Sequence, residues 1–337
     1  MPSIELLEDL DEKDKSRTVL YNALDNLCSA SKELDFHLGT GICKPDIKLF
    51  EGTSRNRFVR QNIFTEKHLK YCEVLLISAK IPLSFYDSIN KECKGTEYEG
   101  ADYVMAKIEF CKRISDLLVM TNIARVGSIE LSNSAIVQDD HVDKFNHIPC
   151  MYALAIQEAV NMAAQMEWPN LQAMDISTVW KWVVKRHEML EGFDNSPMGR
   201  ALNAFSRLFE KKSADEPMQL LWALVGLEAI YVTGKTEILQ QVREKSQSLL
   251  GKQDKYKKKI SQMYNFRSRF VHGALDFPGL FLLADARDCV AKYDEELGEA
   301  ITVAIAVFVA TIQEVIRRDW DGLRFEYTVH DSAMNVI

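Results

Sequence analysis

Apolar side chains recur at threes and fours along most of this chain, the spacing that lines one face of a helix. Residues 1–36 read as a helix with Val19, Leu20, Ala23, Leu24 and Leu27 on one side, ended by Gly39, Gly41 and Pro45. Residues 64–93 read as helical on both sides of Pro82. Leu117–Thr121 and Ser128–Val137 read instead as strands, a small hairpin joined through Gly127. Helical spacing returns from Met151 to Met166, ending at Trp168-Pro169, and from Ile176 to Leu190, with Trp180, Trp182 and Val183. Ser196 followed by Pro197 is a helix start, an N-cap hydroxyl before a proline at the first helical position.

The pattern after that start is denser. Leu202, Phe205, Leu208 and Phe209 mark a helix over 197–210, and Ser213 to Glu216 is a capping box opening the next. That helix, to about Thr233, is apolar almost all round, as a central bundle helix is. A third follows over 235–250, a lysine-rich fourth after Gly251, and a long apolar fifth over about 283–318; residues 322–330 suggest a short strand. The expected fold class is mainly α. Residues 1–190 form a mostly helical domain carrying a small β hairpin, 191–322 an up-and-down bundle of four to five helices, and 323–337 a tail.

Composition narrows the class. At 337 residues there is room for two domains. An apolar content of 47% with 27% charged residues is that of an ordinary soluble protein, and 15 Gly with 8 Pro favours long helices over many short strands. A net charge of −8 argues against a protein that coats nucleic acid, but not against a local basic groove. Seven scattered cysteines without a C-x-x-C read as reduced cytosolic thiols. The acidic N-terminus is no signal peptide, and the apolar run Val303–Ala310 is too short to span a bilayer, so the expectation is a cytoplasmic protein with no membrane contact.

The candidate chemistry lies in Tyr264 to Gly273, at the end of the lysine-rich helix. Gly273 is a natural helix stop, which places His272 at the helix's carbonyl end. An arginine holds a phosphate bidentately, and a histidine moves a proton near neutral pH. Arg267 and His272 stand five apart, however, and so point roughly 140° away from each other on an unbroken helix; fraying at His272 would let the imidazole swing back. The structural alternative is a surface ion pair at Arg267 and a helix cap at His272. Ser268, four before His272, shares its face and can steer it or bind phosphate. Glu228 sits in an apolar run where an unpaired carboxylate is costly, so Arg267 or Arg269 is its expected partner, either orienting the arginine or fixing helix register. Lys252, Lys255, Lys257, Lys258 and Lys259 approach to roughly 12 Å from Arg267, as a phosphate-tracking groove or a solvated face.

Together with Leu220–Ile230 upstream and the long apolar helix downstream, this block resembles the R-x4-6-H motif of the HEPN superfamily, and its surroundings resemble the ApeA-type members. The resemblance covers about the last 130 residues. It implies a HEPN-type bundle and a metal-independent RNA endonuclease in a phage-defence or toxin setting. It implies a homodimer that unites two motifs in one cleft and needs no cofactor. The implied catalytic residues are Arg267, His272 and Ser268, with Glu228, Arg269 and Asn265 in support and the five lysines on RNA. Arg269 is a departure, since a second arginine can take the phosphate role. Non-catalytic members imply the alternative, an adaptor or sensor module for dimerisation or nucleotide binding. Residues 1–190 are left as the place for a regulatory protein or a small-molecule ligand.

Three weaker signals complete the reading. Arg55 to Arg60 echoes the motif, with Arg where the histidine belongs, as a basic RNA contact or a solvated loop. His141, His147 and Cys150 fit no zinc spacing, so no metal is expected. Trp180 and Trp182 suit core packing better than base stacking.

Overall fold

The computed structural model describes residues 12–38, 41–49, 75–131, 134, 136–138, 141–143, 148–186, 196–210, 217–277 and 288–326. Among these the chain is mainly helical, with ten α-helices: α1 (Glu12–Ala30), α2 (Leu83–Cys93), α3 (Asp102–Ala124), α4 (Leu154–Met166), α5 (Ile176–Lys185), α6 (Pro197–Ser206), α7 (Pro217–Tyr231), α8 (Ile238–Leu250), α9 (Asp254–Val271) and α10 (Asp288–Arg317). The strands are short: β1 (Phe36–Leu38), β2 (Gly41–Cys43), β3 (Pro45–Leu49), β4 (Leu75–Ala79), β5 (Ile136–Gln138) and β6 (His141–Asp143). They pair in sequence order as three antiparallel two-stranded sheets, with Phe36 opposite Cys43, Ile47 opposite Ile77 and Val137 opposite Val142.

Several local expectations are corrected. Leu117–Thr121 is not a strand but part of the C-terminal third of α3, and all five residues are buried. A continuous apolar run lacks the periodicity that separates helix from strand, and burial on every side produces such a run in either. Asn122 then closes the helix end: Nδ2 donates to the carbonyls of Leu118 (3.1 Å) and Ile129 (3.0 Å), and Oδ1 accepts from the Ile129 N–H (3.1 Å). Leu75–Ala79 is a strand rather than helix, held by β3, and helix begins only after Pro82. The helix expected through residue 36 ends at Ala30, before the glycines, and β1 to β3 occupy much of 36–49. No strand occurs in the described part of 322–330, residues 322–326. The capping box at 213–216, the echo at Arg55–Arg60 and the expected boundary at 190–191 lie outside the described residues.

The later helices form where their caps and stripes place them. Ser196 Oγ accepts from the Gly199 N–H at 2.9 Å and starts α6 with Pro197 behind it. At the centre runs α10, buried on all faces from residue 300 to 313 and packed against α3, α4, α7, α8 and α9. It is long and apolar enough to cross a membrane by length and composition, but 89% of its apolar window is buried inside the protein. It is the core helix, and α4 and α10, from either side of the expected boundary, share one hydrophobic cluster. Trp180 and Trp182 are buried in that cluster, their indole N–H groups on the carbonyls of Asp35 (3.2 Å) and Trp320 (3.0 Å).

A single amide ties α10 to the first half of the chain. Gln313 is 5% exposed; its Nε2 donates to the carbonyls of Ile123 and Gln172, both at 2.8 Å, and its Oε1 accepts from the Gln172 N–H at 3.1 Å. The Ile123 carbonyl belongs to the last turn of α3, where no helical N–H is available to it. Gln313→Met keeps the volume and strands these groups, so we expect a loss of about 3 kcal/mol in urea unfolding. An unchanged midpoint would show that water replaces the amide.

Candidate functional site

The motif occupies the last two turns of α9. Along this helix Tyr256, Ile260, Met263 and Tyr264 are buried, and Arg267 continues the same arc, partly buried. Lys258, Asn265, Ser268 and His272 lie on the opposite, exposed arc. Within one chain the five-residue interval therefore keeps Arg267 and His272 on different faces. The swing anticipated from fraying does not join them: His272 is the C-cap, with φ −93° and ψ 7°, and its N–H still donates to the Ser268 carbonyl at 3.1 Å.

The helix stops as its glycine requires. Gly273 takes φ +68°, its N–H donates to Phe270 O at 3.2 Å, and the Ala274 N–H returns to Arg269 O at 2.8 Å. This pair of bonds satisfies carbonyls that the helix end would otherwise leave open. It also fixes the backbone under His272, whose imidazole is exposed and makes no hydrogen bond or ion pair among the described residues.

Arg267 faces α7. Its charge acts on Glu228, whose carboxyl is pushed above the usual range mainly by burial; the Arg267 charge and the Tyr264 hydroxyl oppose that rise. The Tyr264 phenol is driven up in turn, first by burial and then by the charge of Glu228. Tyr264 and Glu228 act on each other, yet neither Tyr264 Oη nor Glu228 Oε1 closes a hydrogen bond. Arg267 thus lies in the field of Glu228 and makes no close ion pair among the described residues.

Of the two partners expected for Glu228, Arg267 is the one in its field and Arg269 is not. Arg269 pairs with Glu296 of α10 at 3.1 Å, because its position on α9 turns it toward that helix. The basic stretch is also only partly available. Lys259 is ion-paired with Glu299 of α10, and Lys257, partly buried, has a partner of its own. Lys252 and Lys258 are exposed, and the Lys255 side chain lies outside the described residues. Elsewhere Cys150 is partly exposed, while the side chain of His141 and the whole of His147 lie outside the described residues. No group of three or more potential metal ligands occurs among the described residues.

Two further features bear on the site. The R-x4-6-H interval recurs at Arg324 and His330, with five residues between. Arg324 pairs with Glu326 at 3.0 Å on a segment without a helix end, and His330 lies outside the described residues. An open concavity of about 430 Å³ is lined by residues 319–324, with no residue of α9 among them, and carries no constellation of acid, base and nucleophile.

The half-buried carboxyl of Glu228 gives a pH test. Its folded pKa is raised, so the stability it contributes is full below the ordinary glutamate range and is lost as pH rises through the folded value. Glu228→Gln should therefore raise the melting temperature near pH 7, and the gain should shrink toward pH 4, where wild type is protonated too. Destabilisation at pH 7 that fades in acid would mean that pairing with Arg267 outweighs burial.

Compared with known proteins, the chain matches no family model, no curated protein and no solved structure.

Proposed function

We propose that the C-terminal helices form a HEPN-type bundle acting as a metal-independent RNA endonuclease whose dimer cleft holds two centres, each made of Arg267 from one subunit and His272 from the other. The observation that carries the reading is the state of these two groups on one helix end. Arg267 lies in the field of Glu228 without a close ion pair, and His272 stands at an exposed cap with its ring making no hydrogen bond, both among the described residues. A dimer would set the arginine of one copy beside the imidazole of the other. The guanidinium would bind the scissile phosphate and stabilise its developing charge. The imidazole would take the 2′-hydroxyl proton as that oxygen attacks phosphorus, and the imidazolium so formed would give that proton to the 5′-oxygen as its bond to phosphorus breaks, leaving a 2′,3′-cyclic phosphate and a 5′-hydroxyl. Ser268 and Asn265, on the exposed arc with His272, would contact the substrate backbone, and Lys252 and Lys258 would extend that contact.

The test is incubation of the purified protein with mixed RNAs and with their 2′-deoxy counterparts, with and without EDTA. RNA should be cut to cyclic-phosphate ends in both buffers and the 2′-deoxy strands left whole. Cleavage that EDTA abolishes would rule the mechanism out.

The divergence of Arg267 and His272 within one chain is also what a non-catalytic adaptor or sensor would show. Intact RNA in every condition would favour that second reading.

A further inference from the structure

Exposed aromatic rings are few among the described residues: Tyr98, Tyr103, Phe277 and Trp320. Trp320 is covered on one face by Arg318, whose guanidinium lies 4.5 Å from its ring centroid. Tyr98 and Tyr103 belong to the α2–α3 corner, an apolar surface with Leu83, Val104, Met105 and Ile108 for which nothing indicates an occupant. Phe277 differs, because it stands beside the motif. It follows His272 by five residues and is 61% exposed, yet its ring is anchored. It packs at 5.7 Å on Phe270, which lies parallel (10°) to Phe266 at 6.4 Å, and Phe266 meets Tyr293 of α10 at 5.8 Å. Four rings therefore run from the core to the surface along the turn that carries Arg267, and the outermost is left open.

We propose that Phe277 is the stacking platform for an unpaired nucleobase, which makes single-stranded polynucleotide the substrate class of this site. The proposal rests on the ribonuclease reading only for what happens after binding. A phenylalanine held open by a row of rings behind it presents a π-face at little further ordering cost, and every base can stack on such a face. Charge around this turn supplies the phosphate contact, from Arg267 with the exposed Lys252 and Lys258, while Arg269 is taken up by Glu296, and the ring adds a contact to the base. A duplex buries the base faces in its own stack and cannot use the platform.

The experiment measures binding of a fluorescent oligodeoxyuridine, which lacks the 2′-hydroxyl and is not cut, to the full chain. Phe277→Ala should weaken binding roughly 5- to 150-fold, the range that loss of one stacked base implies. Phe277→Trp should keep the affinity and show quenching on saturation beyond that of wild type, whose five tryptophans provide the blank. A duplex of matched length should bind at least about tenfold more weakly. Equal binding by wild type and Phe277→Ala, or by single strand and duplex, overturns the proposal. So does a Phe277→Ala protein that sediments as a smaller species with unchanged binding, since the ring is then a subunit contact. Phe277-dependent binding by a wild type that leaves RNA intact upholds the platform and removes the ribonuclease reading. RNA cleavage with binding indifferent to Phe277 does the reverse.

Discussion

Replacing Gly226 with alanine is expected to unfold the chain at markedly lower denaturant, and replacing it with leucine to prevent folding. Gly226 lies on α7 directly against the ring of Phe308 on α10; a Cβ there would meet Cζ at 2.0 Å and Cε1 at 2.5 Å. No real contact is that short, and the obstacle is a rigid ring rather than the end of a flexible chain. The ring has nowhere to go: Phe308 is fully buried and stands edge-on to Phe205 at 6.0 Å, which itself meets Phe209 at 5.4 Å. Alanine gains about 1 kcal/mol in helix propensity over glycine, but overpacking costs about 1–3 kcal/mol or more, and the geometry sets this site at the upper end. Phe308→Leu opens the space and should be destabilising alone. Combined with Gly226→Ala it should cost less than the sum, by about 1 kcal/mol or more in a double-mutant cycle. Additive losses would mean that the two helices do not meet through this pair.

Arg267→Ala and His272→Ala are each expected to lower RNA cleavage by about 10²- to 10⁴-fold, the usual contribution of a phosphate-binding arginine or a proton-transferring histidine. His272→Ala should leave stability unchanged, because the side chain is exposed and makes no hydrogen bond or ion pair among the described residues. Arg267→Lys keeps the charge facing Glu228 and loses the fork, so it should fold normally and remain impaired. Arg269→Ala is the control. Its guanidinium is engaged with Glu296, so cleavage should fall by no more than a few-fold. If Arg269→Ala abolishes activity while Arg267→Ala does not, the arginine has been assigned to the wrong position.

What was legible in the sequence divides along physical lines. Helix ends were readable where one residue decides them, as Ser196 and Pro197 do at the start of α6 and Gly273 does after α9. The cost of a carboxylate at Glu228 was readable from its apolar run, but the close partner expected for it is not made, and its Oε1 is left without a hydrogen bond. The interior of α3 was not readable, since burial all round removes the periodicity that distinguishes helix from strand. Nor was the pairing of β3 with β4, whose residues are about thirty apart and whose register no local signal fixes. The partners of Arg269 and Lys259 were hidden for the same reason: Glu296 and Glu299 come from α10, and only packing of α9 on α10 shows which charges it takes up. The face on which Arg267 lies followed from helical spacing alone. What that spacing could not supply was a second group opposite it.

That gap is where the account is most exposed, and mixing inactive subunits tests it. Arg267→Ala and His272→Ala proteins, each inactive alone, should regain about a quarter of wild-type cleavage when unfolded and refolded together in equal amounts. Half of the dimers are then mixed, and each carries one intact centre of two. Mixed dimers that form, as shown by differential tags, yet cut no RNA would contradict a centre shared between subunits.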